Sequence, residues 1–120
     1  MRAYELMVIL DGALDDNVVH GEFDKISKQV VDSGGTIATT DIWGRREFAY
    51  EINKRNDGHY AVFEVLAAAG ALDGLDRQLR LADQVVRHKL MRLPDAEAER
   101  RGLIGEGKAP ATAGTGGTDA

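Results

Sequence analysis

The sequence predicts an α+β domain whose strands and helices run in the order β-α-β-β-α-β. Three observations carry this expectation. Four segments alternate or concentrate apolar residues with a period of two, the repeat of a strand. Two others space their apolar residues at three and four, the repeat of a helix with one buried face. And 120 residues suffice for one domain with a modest core, with little room for a second.

Each element follows from its residues. Arg2 to Leu10 reads as a strand with Tyr4, Leu6, Val8 and Leu10 on one face and Met7 and Ile9 on the other. Apolar residues on both faces mark it as central in its sheet. Asp11-Gly12 breaks it, and Asp15 or Asp16 is placed to cap a helix running to about Ser33. Val19, Phe23, Ile26 and Val30 form that helix's buried stripe, and Gly34-Gly35 supplies the left-handed residue that ends it. Thr36 to Lys54 is a long strand expected to kink at Gly44. Asn56-Asp57-Gly58 reads as the hairpin turn into a third strand, His59 to Leu66. Leu72 to Ala82 should be a second helix with Leu72, Leu75 and Leu79 inward, and Gln84 to Leu93 the last strand.

Two helices cannot cover both faces of a four-stranded antiparallel sheet. The ferredoxin-like sandwich puts both on one face, with strand order 4-1-3-2. Its other face should then expose Met7 or Ile9, an aromatic from the hairpin, and Met91. Such a surface wants a partner. Residues 1–94 make the domain. Asp95 to Arg101 can prolong it as a frayed helix. From 108 onward the chain is Gly, Ala, Thr and Pro with almost no bulky apolar residue, so 95–120 is expected to be a flexible tail.

Catalytic and metal-binding classes find little support. There is no cysteine, which fits a reducing cytosol and removes thiol chemistry. His20, His59 and His88 lack the spacing of metal ligands, and the two serines, Ser27 and Ser33, have no glycine elbow. The expectation is no cofactor, no metal, no small-molecule substrate and no enzyme. Glu5 and Asp11 interrupt the only apolar run near the N-terminus, and no segment approaches a membrane span. The alternative is a small ligand-binding or acyl-phosphate-hydrolysing module, using Arg45 or Arg46 with Asn53 or Asn56.

Charge is distributed unevenly. The net charge is -5, yet Glu5 to Asp32 holds seven acidic residues against Lys25 and Lys28, while Arg77 to Arg92 holds five basic ones against Asp83. Local fields steer partners where the sum does not. The candidate binding residues are Arg2, Tyr4, Arg45, Arg46, Lys54, Arg87, Lys89 and Arg92: cations for phosphate oxygens and a tyrosine that either packs or stacks on a base. The aromatic signature of sheet-face recognition of single-stranded RNA is absent from the third strand.

Three blocks carry a resemblance. Met1-Arg2-Ala3-Tyr4-Glu5, the run Trp43-Gly44-Arg45-Arg46-Glu47-Phe48-Ala49-Tyr50-Glu51-Ile52-Asn53-Lys54, and Leu79 to Arg87 together resemble the family of the sixth protein of the bacterial small ribosomal subunit. The resemblance covers residues 1 to 93. It implies a ferredoxin-like fold and binding to the central domain of small-subunit ribosomal RNA, in the platform. It also implies a protein partner, the eighteenth small-subunit protein, on the open sheet face. Arg2, Arg45, Arg46, Lys54, Arg87 and Arg92 match the family's basic positions and take an RNA- or partner-contact role by that likeness. Glu51 stands where the family often has proline. The tail ends Gly-Gly-Thr-Asp-Ala, so the glutamate addition known for some acidic tails is not expected. The location implied is cytoplasmic and ribosome-bound.

Overall fold

A computed structural model describes residues 1–52 and 54–104. Its elements are β1 (Arg2–Asp11), α1 (Asp16–Asp32), β2 (Thr36–Ile52), β3 (Arg55–Ala67), α2 (Asp73–Leu81), β4 (Val85–Arg92) and a short α3 (Asp95–Arg100). The strands form one sheet in the order β2-β3-β1-β4, every pair antiparallel, which is the ferredoxin-like arrangement. β1 and β3 pair without a break from Arg2 opposite Ala67 to Asp11 opposite Gly58.

The core lies between this sheet and α1 with α2. Leu6, Val8 and Leu10 of β1 and Ala61, Phe63 and Val65 of β3 meet Val19, Phe23, Ile26 and Val30 of α1. Leu72, Leu75 and Leu79 close it from α2 and the residue before it. These are the helix positions the spacing predicts. Phe63 and Phe23 meet edge to face at 6.0 Å.

The ends of α1 divide. Gly34 adopts φ +89° and the N–H of Gly35 donates to the Val30 carbonyl at 2.9 Å, so the helix stops where the glycine pair predicts. Asp15 stands at the N-cap, but neither it nor another side chain bonds to the first-turn amides. Asp16 in the first turn still complements the helix dipole.

The hairpin turn sits elsewhere than Asn56-Asp57-Gly58 suggests. Ile52 is opposite Arg55, and Lys54 takes the left-handed conformation at φ 64°. Asn56, Asp57 and Gly58 belong to β3. Gly58 is there for space. A Cβ would stand 2.5 Å from Cγ2 of Ile9, 2.8 Å from the Leu10 carbonyl oxygen and 3.0 Å from Cζ of Phe48. Gly44, by contrast, has φ +88° and lies where the β2–β3 register shifts, which is the expected kink.

Packed structure continues past residue 94. The stretch expected as a frayed extension forms α3 against the sheet face opposite α1 and α2, where Ala98 and Leu103 are buried with Ala3 and Leu93. Its polar composition hid this, because the anchoring groups are one alanine and a leucine beyond the helix. The expectations for 105–120 and for Asn53 lie outside the described residues.

Asp11 gives the fold a pH dependence. Its carboxylate accepts the Ala13 N–H at 3.0 Å and the Arg55 Nε–H at 3.0 Å. The backbone bond from Ala13, then Arg55, hold its pKa below the ordinary value. A carboxyl whose folded pKa is depressed contributes stability above its unfolded pKa and loses it as pH falls through the folded one. Thermal unfolding followed between pH 7 and pH 2 should show stability declining below roughly pH 4. Asp11→Asn should flatten that decline, and an unchanged profile would refute the assignment.

Candidate partner and RNA interface

Residues directly opposite each other in antiparallel strands share a face. On the face away from α1 and α2, the register therefore lines up Ile9 with Arg87 and Tyr60, Met7 with Lys89 and Val62, and Glu5 with Met91 and Glu64. Ile9 is only 2% exposed, a correction to the expectation that either it or Met7 lies open; Met7 is half-buried and Met91 exposed. Ile9 is flanked on the neighbouring strands by Tyr60 and Arg87, and with Phe48 it lines a groove of about 270 Å³ that Met7, Tyr50, Tyr60 and Arg87 also line.

Aromatic rings extend this surface toward β2. Trp43, 44% exposed, stacks on Tyr60 with centroids 5.8 Å apart and planes 8° from parallel. Phe48 meets Tyr60 edge-on at 6.1 Å. The Arg46 guanidinium lies 5.4 Å from the Trp43 ring centroid, within cation–π range. The indole N–H donates to Asp41 at 2.9 Å, fixing the ring at the bulge that Gly44 makes. Tyr50 is 74% exposed near the end of β2.

The eight candidate residues fall into separate groups. Arg87 and Lys89 lie on this open face, and Arg46 joins them at the aromatic end. Tyr4 is opposite Arg92 on the helix side of the sheet, packed against the core, and Arg2 shares that side by alternation. Arg92 approaches Asp95 at 3.8 Å. Arg45 is opposite His59, also on the helix side, and its Nε and Nη2 donate to Asp57 Oδ2 at 2.9 and 2.6 Å. Lys54 stands exposed at the hairpin turn. The adjacent arginines thus point to opposite sides of β2: one over an indole, the other into an ion pair.

Some functional geometry left no trace in the sequence. Asp57, expected in a turn, is the carboxylate that holds Arg45. Arg101 binds Glu5 and Glu64 across two strands, partners separated by many residues. His59 is buried, and its Nε2 has no hydrogen-bond partner among the described residues. His88 Nε2 lies 2.8 Å from Asp76 Oδ1, the partly buried histidine with a partner that its strand parity suggests. Among the described residues no three His, Asp or Glu side chains are grouped to hold a metal ion.

Comparison with known proteins agrees with this architecture. The sequence profile of the family described as Ribosomal protein S6 matches residues 3–92. The small ribosomal subunit protein bS6 of Leifsonia xyli subsp. xyli is 48% identical over 99 residues, spanning 82% of this chain and 77% of that protein. The protein of that name from Salinispora tropica is 46% identical over 92 residues, 77% of this chain and 96% of its own length. In structure, the chain is similar to the 30S ribosomal protein S6 of Thermotoga maritima. That match has a TM-score of 0.77 at 28% identity, covering 83% of this chain and 94% of that one. Sequence profile, relatives and fold agree, and the chain belongs to the ribosomal protein S6 family of the small ribosomal subunit.

Proposed function

We propose that the chain is a structural, non-catalytic constituent of the small ribosomal subunit, ribosome-bound in the cytoplasm. It binds small-subunit ribosomal RNA at the central domain, in the platform, together with the eighteenth small-subunit protein. The observation that carries this reading is the second sheet face. Its groove of Met7, Ile9, Phe48 and Tyr60 is bordered by Arg46, Arg87 and Lys89. Among the described residues neither Arg87 nor Lys89 has an ion-pair partner, so both charges are available to another molecule.

The division of labour follows from charge. A protein of net charge -5 gains little from RNA by its overall field, so cations must act locally. Arg2 and Arg92 at one end of the sheet and Lys54 at the hairpin can place it on phosphates, while the aromatic groove docks a protein whose own basic surface completes the RNA site. Arg45 serves the fold first, through Asp57.

The test is a gel-shift titration on central-domain RNA, with and without the eighteenth protein, at two salt concentrations. Tight, salt-sensitive binding only in the partner's presence is the expected result. Arg2→Ala with Arg92→Ala should reduce the salt slope by about one for each phosphate no longer neutralised. If the pair instead touches protein, cooperativity falls and the slope stays. A folded chain that binds in neither condition sinks the reading.

A further inference from the structure

The open face is not open along its whole length. At the end away from the Trp43–Tyr60 stack, the Leu93 N–H donates to the Ala3 carbonyl at 2.9 Å, carrying the chain one residue past β4 before Pro94 turns it. α3 then crosses the face, and Gly102, at φ +77°, lets Leu103 fold back so that its N–H donates to the Ala98 carbonyl at 2.9 Å. The apolar contact is small: Ala98 and Leu103 on Ala3 and Leu93, with Ala38, Leu66 and Ile104 at the margin.

Apart from the 3.8 Å approach of Arg92 to the exposed Asp95, the polar contact is one guanidinium. Arg101 Nη1 donates to Glu5 Oε1 and to Glu64 Oε2, each at 2.9 Å, and Nε donates to Glu97 Oε2 at 2.6 Å. Glu5 and Glu64 are direct cross-strand neighbours, and like charges so placed repel. Thr39 relieves only part of this, its hydroxyl donating to Glu64 Oε1 at 2.8 Å. A helix of six residues has no stability of its own. What keeps α3 in place is therefore the four-residue apolar cluster and Arg101, the profile of an element that opens locally while the sheet stays folded.

Its position makes the opening consequential. Glu5 lies one same-face step from Met7, and Met91 one step from Lys89, so α3 borders directly on the groove. We infer that α3 is a displaceable strap, latched by Arg101 to Glu5 and Glu64, which masks one end of the docking face until the protein partner binds. Release uncovers Ala3, Leu66 and Leu93 and, between them and the groove, frees the Glu5 and Glu64 carboxylates for the partner's basic surface. A closed strap lowers the apparent affinity by the fraction of time the face is masked. This rests on the partner assigned above.

Two readouts on the full chain separate the two ideas. Hydrogen exchange, measured without any partner, should speed up in residues 95–104 of Arg101→Ala on the order of tenfold, with β1 and β3 unchanged. Leu103→Ala, which removes the apolar anchor and no charge, should do the same. Purified eighteenth protein should then bind both variants several-fold more tightly than it binds the parent chain. Unchanged exchange overturns the latch. Faster exchange with weaker partner binding also overturns the strap, because α3 would then belong to the interface. If the parent chain and both variants fail to bind that protein, the partner assignment fails and with it the masking role, whereas the exchange data still report the latch.

Discussion

Phe63→Ala is expected to destabilise the domain by about 3–5 kcal/mol, the range for deleting a fully buried aromatic. Phe63 is 0% exposed at the middle of β3, with Leu6 opposite it on β1 and the Phe23 ring edge-on at 6.0 Å from α1. β1 and β3 are the two inner strands, so the cavity would open where the sheet is least able to collapse inward. Against a total stability of roughly 5–15 kcal/mol, the loss leaves a substantial unfolded population on warming. Urea unfolding followed by circular dichroism measures it. A loss below about 1.5 kcal/mol would show that α1 settles into the gap and that the core is softer than its packing suggests.

Gly58→Ala should be the next largest effect. The added Cβ meets Cγ2 of Ile9 at 2.5 Å, which can rotate away. It also meets the Leu10 carbonyl oxygen at 2.8 Å, which is backbone in the central strand and cannot. Overpacking of this kind costs about 1–3 kcal/mol. The ordinary gain of a few tenths of a kcal/mol or more from stiffening an unfolded glycine is outweighed. The third neighbour, Phe48 Cζ at 3.0 Å, ties the change to the proposed docking face. Displaced, Phe48 should release Tyr60 and the Trp43 stacked on it, and Trp43 is the only tryptophan in the chain. Its fluorescence should therefore shift in the folded variant, and the partner should bind less tightly. A variant as stable as the parent, with unaltered emission, would refute this account of Gly58.

The two substitutions also mark what is legible in the sequence. Helical spacing places Val19, Phe23, Ile26 and Val30 in the core, because the pattern repeats locally, whereas strand parity sets Phe63 and Val65 on the opposite face from Tyr60 and Val62 and leaves the choice of face to the packing of the helices. From those patterns the strand order follows with few alternatives. Gly58 misleads because a glycine after Asn-Asp signals a turn, while its real constraint comes from Ile9 and Phe48, one on another strand and the other ten residues back. The same holds for the site. Alternation puts Arg87 and Lys89 on one face without any structure. The pairing of Arg45 with Asp57 and of Arg101 with Glu5 and Glu64 depends on register between strands and on a helix that polar composition concealed.

The irregular pairing of β2 has a consequence for the life of the chain before assembly. β2 is an edge strand of 17 residues, and a flat edge of that length would offer its free amides and carbonyls to an identical strand of another copy. Three register shifts, the left-handed Gly44 and the run Arg45-Arg46-Glu47 deny it that straightness. A free chain presenting an aromatic face is thereby kept from zipping edge to edge into ribbons of itself.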